Sequence, residues 1–149
     1  MKKIIILCLP ILFISSVLSA QIRKIPAEVI TAFEKQYPSA QTVEYKDVLT
    51  SVNVHFVMDS IKMNARYTNG GEWKETEKEW NYYNLPQEVK DGYMKSKYAD
   101  GEWEVKETTV ILLPGDVEQY RLRVDKGDIQ KRYLYFDQYG RLLRDPITI

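Results

Sequence analysis

The sequence predicts an α+β protein built as a tandem repeat of a helix plus a four-stranded antiparallel sheet, with the helices on one sheet face. Three observations carry that expectation. An apolar-Pro-x-Glu-Val segment occurs twice, as Ile25-Pro26-Ala27-Glu28-Val29 and, sixty residues on, as Leu85-Pro86-Gln87-Glu88-Val89. Each copy continues with apolar residues at helical spacing. Runs with a period of two then follow, separated by short Gly, Asn and Asp breaks of hairpin type.

Taken in order, the chain opens with Lys2 and Lys3, an apolar run from Ile4 to Val17 broken by Pro10, Ser15 and Ser16, and the small-residue exit Ser19-Ala20. This is the layout of a secretory signal peptide, and the run is short for a membrane span. Cleavage is expected after Ala20, with export to the periplasm. The only cysteine, Cys8, leaves with the peptide. The mature chain then has no disulfide and no thiolate metal site, so its hydrophobic core alone must hold the fold.

The first helix has Ile25, Val29, Ala32 and Phe33 on one stripe, with Pro38 as its stop; the second has Leu85, Val89, Gly92, Tyr93 and Ser96, with Ala99-Asp100-Gly101 as its stop. Pro26 and Pro86 suit a first turn, and Glu28 and Glu88 favour its positive end. Strands follow with Val43 and Tyr45, then Val52, Val54 and Phe56, then Ile61, Met63, Ala65 and Tyr67 facing inward. In the second copy the inward residues are expected to be Trp103 and Val105, then Tyr120, Leu122 and Val124, then Ile129, Tyr133 and Tyr135. These come from an offset that grows to sixty-eight, matching Ile61 to Ile129 and Tyr67 to Tyr135, before Gly71 aligns with Gly140. A fourth strand starts at Glu72 and at Arg141. Its first copy, with Glu75, Glu77 and Glu79, reads as a solvated, charged edge. The chain thus divides into a signal peptide over 1–20, a first unit over 21–82 and a second over 83–149, packed as one body.

The helix starts, the Tyr37-Pro38 helix end and the closing hairpins 67–73 and 135–142 together resemble the PepSY-like family of secreted bacterial proteins, grouped by fold with the beta-lactamase inhibitor protein. The resemblance covers residues 25 to 145. It implies tandem helix-plus-sheet units with an open sheet face, a periplasmic location and a binding or inhibitory role, and it brings no catalytic residues.

Composition narrows the partners. With 21 Lys+Arg, 21 Asp+Glu and no basic stretch longer than a pair, the chain has no footprint for nucleic acid. Hydrophobic content of 44% and charged content of 28% are ordinary for a globular protein. His55 is the only histidine, too little for a triad or a His-rich zinc site. The reading is therefore not an enzyme, with no cofactor. Asp125-Lys126-Gly127-Asp128 and Asp137-Gln138-Tyr139-Gly140 lack the alternating ligands of a calcium loop and read as turns, with weak calcium binding left open.

What remains is surface. The phase opposite to the apolar one contains His55, Val57, Arg66, Gln119, Arg121, Arg123, Arg132, Leu134 and Phe136. Arginine and aromatic groups on a rigid sheet make interface anchors. His55, Arg66, Arg121, Arg123, Arg132 and Phe136 are the candidate protein-binding face. An arginine cluster there would suit a carboxylate-bearing partner, unless Glu104 or Glu107 pairs with it. Two functions follow: a periplasmic binding module, with inhibition of another exported protein as one form, or a non-catalytic structural or sensing protein of the envelope.

Overall fold

Pro26 and Pro86 set the two helix starts. In the computed structural model, which describes residues 24–148, α1 spans Ala27–Gln36 and α2 spans Gln87–Met94. The expected signal peptide over 1–20 lies outside the described residues. Each proline carbonyl accepts from the amide three residues on, Val29 in α1 and Val89 in α2. α1 stops at Tyr37, before Pro38. α2 is shorter than its apolar spacing predicts and ends well before Ala99-Asp100-Gly101. Ser96 turns the chain: its amide and its hydroxyl both donate to the Tyr93 carbonyl, at 2.9 and 2.7 Å.

Four strands follow α1: β1 (Gln41–Asp47), β2 (Ser51–Met58), β3 (Ile61–Thr68) and β4 (Trp73–Trp80). After a single 3-10 turn over Tyr82–Asn84 and α2 come β5 (Glu104–Leu113), β6 (Val117–Lys126), β7 (Gln130–Asp137), β8 (Leu142–Arg144) and the two-residue β9 (Ile147–Thr148). All belong to one antiparallel sheet whose order β1 to β8 is the order of the chain, with β9 also beside β7. Two separate sheets were the expectation; one continuous sheet is the finding, joined where β4 pairs with β5. The charged β4 is therefore a central strand and not an edge. It is accommodated because Thr76 alone points fully into the core, while its glutamates lie in the other phase, where Glu75 and Glu77 find arginines and Glu79 a lysine.

The register carries one face across the sheet. Val54, Ala65, Thr76 and Leu112 lie opposite one another in successive strands, as do Thr108, Leu122 and Leu134. Both helices bury their stripes on this face, in two distinct clusters. Around α1, Phe33 has the rings of Tyr37, Tyr45, Phe56 and Tyr67 within 5.0–6.4 Å. Tyr37 and Thr76 share a hydrogen bond of 2.6 Å, and the Tyr67 hydroxyl donates to Gln36 at 2.8 Å. Around α2, Val89 and Tyr93 pack with Val110, Tyr120, Leu122, Val124, Leu134 and Phe136.

β7 is out of phase with the sequence expectation. Leu134 and Phe136 are 0% exposed, whereas Ile129, expected inward, is 90% exposed in a turn. The β2–β3 hairpin turns through two residues, Asp59-Ser60, and the β6–β7 hairpin through three, Gly127-Asp128-Ile129. One extra residue exchanges the two faces of the strand that follows. The offset that relates Gly71 to Gly140 is the one that applies to β7, matching Tyr67 with Phe136.

The closing hairpins touch the helices through glycine. A Cβ built on Gly71, which has φ +81°, would stand 2.7 Å from the Glu28 carbonyl oxygen. One on Gly92 of α2 would stand 2.0 Å from the Gly140 carbonyl oxygen, and one on Gly140 would stand 1.9 Å from that of Glu88. Only glycine permits these approaches.

Candidate open-face binding site

Helices cover one side of the sheet, so the uncovered side presents the alternate residues of every strand. Glu44, His55, Asn64, Glu77, Ile111 and Gln119 form one row of register partners from β1 to β6. Glu79, Thr109, Arg121, Tyr135 and Arg144 form the next, from β4 to β8. The face is hollowed into a cleft of about 970 Å³ lined from Glu44 to Arg121. Ile111, between Glu77 and Gln119 in the register, is only 4% exposed although it lies on the uncovered side.

Four of the six candidate residues lie on this face. His55 is half-buried in β2, opposite Glu44 and Asn64. Arg66 is exposed and pairs with Glu75 at 2.9 Å. Arg121 forks onto Glu77, Nη1 donating at 2.6 Å and Nη2 at 2.9 Å, with a further contact to Thr109 at 3.3 Å. Burial works against the charge of Arg121, but the Glu77 carboxylate and the Tyr135 hydroxyl outweigh it, so its pKa is raised. Arg123 donates to Glu107 and stands 3.4 Å from Asp125.

Arg132 and Phe136 are corrected. Both share the phase of Leu134, so they belong to the helix side of β7. Phe136 is core, and Arg132 lies opposite Val124, where its charge helps lower the pKa of Asp145. The larger influence on Asp145 is the Tyr98 hydroxyl, which donates to it at 2.6 Å. The three-guanidinium cluster of Arg121, Arg123 and Arg132 therefore does not exist. Its remaining two members are matched by carboxylates of the same sheet, one of them the Glu107 weighed from sequence. The repulsion that would have argued for an acidic partner at Arg121 and Arg123 is absent.

Among the described residues no group of three or more His, Cys, Asp or Glu is placed to hold a metal ion. Asp137, in one of the two turns considered for calcium, has its oxygens committed: Oδ1 accepts from the amides of Tyr139 and Arg141, and Oδ2 accepts from Arg141 Nε at 2.6 Å. Burial alone would raise its pKa, and these donors more than reverse that. Sequence reasoning missed Glu77 and Ile111, and it placed Tyr133 and Tyr135 on the wrong side. The Gly71–Gly140 spacing was the available signal for the two tyrosines. Nothing local marks Glu77, because its partner is forty-four residues away.

Comparison with known proteins supplies the context. The sequence profile of a family described as "Putative beta-lactamase-inhibitor-like, PepSY-like" matches residues 50–144. No curated protein matches the chain. Among solved structures, a BLIP-like protein from Bacteroides fragilis superposes with a TM-score of 0.75 at 24% identity, covering 85% of this chain and 89% of that one. A DUF2874 family protein from Bacteroides ovatus gives a TM-score of 0.77 at 22% identity, covering 84% and 89%. One of the "putative periplasmic proteins" of Bacteroides eggerthii gives 0.75 at 24%, covering 84% and 90%. At these identities the likeness is one of fold. Among the described residues no helix is long and apolar enough to cross a membrane.

Proposed function

This chain belongs to the PepSY-like, beta-lactamase-inhibitor-like family, and on that premise we propose that it is a non-catalytic binding module of the periplasm that engages another exported protein through its open sheet face. The observation that carries the reading is the placement of both helices on one side of a continuous sheet, which leaves the hollowed side uncovered. Inhibition of the bound protein is one form the activity takes if the occupied surface is a catalytic cleft. The signal-like start, with cleavage after Ala20, brings the module to its partner.

The same proposal includes an origin by tandem duplication, with units over 21–82 and 83–149. Its support is the pairing of equivalent glycines with equivalent helix starts, Gly71 against Glu28 and Gly140 against Glu88, together with the element order helix then strands in both halves.

A photo-crosslinking amino acid placed at Asn64 or Thr109, and separately at the exposed helix positions Glu34 or Met94, tests the reading in cells. The expected result is a discrete adduct with one exported protein from the first pair only. Adducts confined to the helix positions overturn the open-face site. Adducts from the open face to peptidoglycan or membrane components favour the structural or sensing role in the envelope.

A further inference from the structure

The cations of the open face are not equivalent. From β1 to β6 each has a carboxylate: Lys46 with Glu44, Lys62 with Glu79, Arg66 with Glu75, Arg121 with Glu77, and Arg123 with Glu107. Lys131 and Arg144 are different. Lys131 shares the phase of Tyr133 and Tyr135 on β7, and Arg144 of β8 lies opposite Tyr135. Neither has an ion pair among the described residues, and both are exposed. Between them stand the two half-buried tyrosines.

Arg144 is also held in a particular way. Its guanidinium lies 3.8 Å from the centre of the Tyr135 ring, while Arg121 lies 5.5 Å from that of Tyr133. A guanidinium stacked on a ring has its flat face covered and its N–H edge directed outward, the arrangement that takes a carboxylate through two parallel hydrogen bonds. The stack is itself braced, because the Tyr135 hydroxyl lies beside Arg121, which Glu77 fixes. The side chain therefore loses little freedom on binding.

We propose that the strip Lys131–Tyr133–Tyr135–Arg144 is the specificity anchor of the open face and receives an extended acidic segment of the partner protein. This rests on the open-face reading and adds the chemistry of the partner. One carboxylate docks on Arg144 and another on Lys131, and the apolar stems between them lie over Tyr133 and Tyr135. Lys131 is four residues from the Tyr135 that carries Arg144, about 13 Å along a strand. Carboxylates four residues apart on an extended partner segment match that distance.

Binding of synthetic peptides to the whole purified protein decides the matter. The probes are an extended, β-prone peptide with Glu at positions one and five, its Gln analogue, and a version with the two Glu at positions one and three. Vesicles of anionic phosphatidylglycerol provide the non-protein source of negative charge. The expected result is binding of the one-and-five Glu peptide that weakens about tenfold on R144Q or K131Q and with the Gln analogue, and that falls as salt is added. K35Q, which removes an exposed cation of α1 on the helix-covered side of the sheet, is expected to leave it unchanged. Equal binding of Glu and Gln peptides, or equal binding by R144Q and the unaltered protein, overturns the anchor. Vesicle binding without discrimination among peptides overturns it in favour of a membrane surface. Crosslinks from Asn64 or Thr109 that persist while the peptide result is negative remove the anchor and leave the open-face site standing. Crosslinks confined to the helices remove both.

Discussion

Phe136 lies opposite Tyr120 in the register of β6 and β7, within the cluster that α2 covers. Its ring has no exposed surface, so truncation removes the transfer energy of a large side chain and leaves a cavity that the sheet cannot close. Phe136→Ala is expected to cost about 3–5 kcal/mol in chemical denaturation. A loss under about 1 kcal/mol would return Phe136 to the open face. The same residue shows what sequence reading could reach. The alternation along β7 was legible, but alternation does not say which phase faces in. The three-residue turn decides that, and it differs from its counterpart by a single residue. His55, Arg66, Arg121 and Arg123 were placed on the side where the structure has them because the β2, β3 and β6 runs contain an unambiguous apolar set. Their ion-pair partners lie on other strands, where one-dimensional spacing carries no information.

Elements were read more securely than their neighbours. Both helix starts follow from proline and the apolar stripes, and the hairpins follow from their Gly, Asn and Asp turn residues except between β1 and β2, where the connection is Val48-Leu49-Thr50. The position of β4 did not follow, because a Glu- and Lys-rich strand has the composition of an edge. It becomes a central strand through Thr76 inward and through Arg66 and Arg121 outward, and Arg121 arrives from the far half of the chain. The joint between α2 and the β7–β8 turn offers a sharper test. Alanine is a better helix former than glycine by about 1 kcal/mol. Gly92→Ala should nonetheless destabilise, by about 2 kcal/mol or more, because its methyl would meet the Gly140 carbonyl at 2.0 Å. Urea denaturation of the variant checks this. A stabilised Gly92→Ala would mean that the hairpin does not dock on the helix.

For the molecule as a whole, tyrosine sets the response to alkali. Tyr37, Tyr67, Tyr93, Tyr98 and Tyr120 all have raised pKa values, in each case first because burial disfavours the phenolate. The folded state thus prefers the neutral phenol more than the unfolded chain does. The stability so linked is fully present below the ordinary value of 10 and is lost as pH rises past it toward the folded values. Denaturation midpoints should be level from neutral pH to about 9 and fall steeply above 10. Tyrosinate absorbance from the buried five should rise only as the circular dichroism signal disappears. Smooth ionisation with the spectrum intact would contradict their burial.

The chain-order topology has a kinetic meaning. From β1 to β8 each strand pairs with the strand that precedes it in sequence, and only the β4–β5 pairing spans an intervening helix. For a protein so rich in sheet, the mean sequence separation of its contacts is therefore small, and loop closure costs little at each step. Assembly can proceed as a zipper, hairpin by hairpin, without a distant strand having to be found. The long edge that a nine-stranded sheet would expose in a slow folding intermediate is correspondingly short-lived, which limits aggregation before the helices settle onto their face.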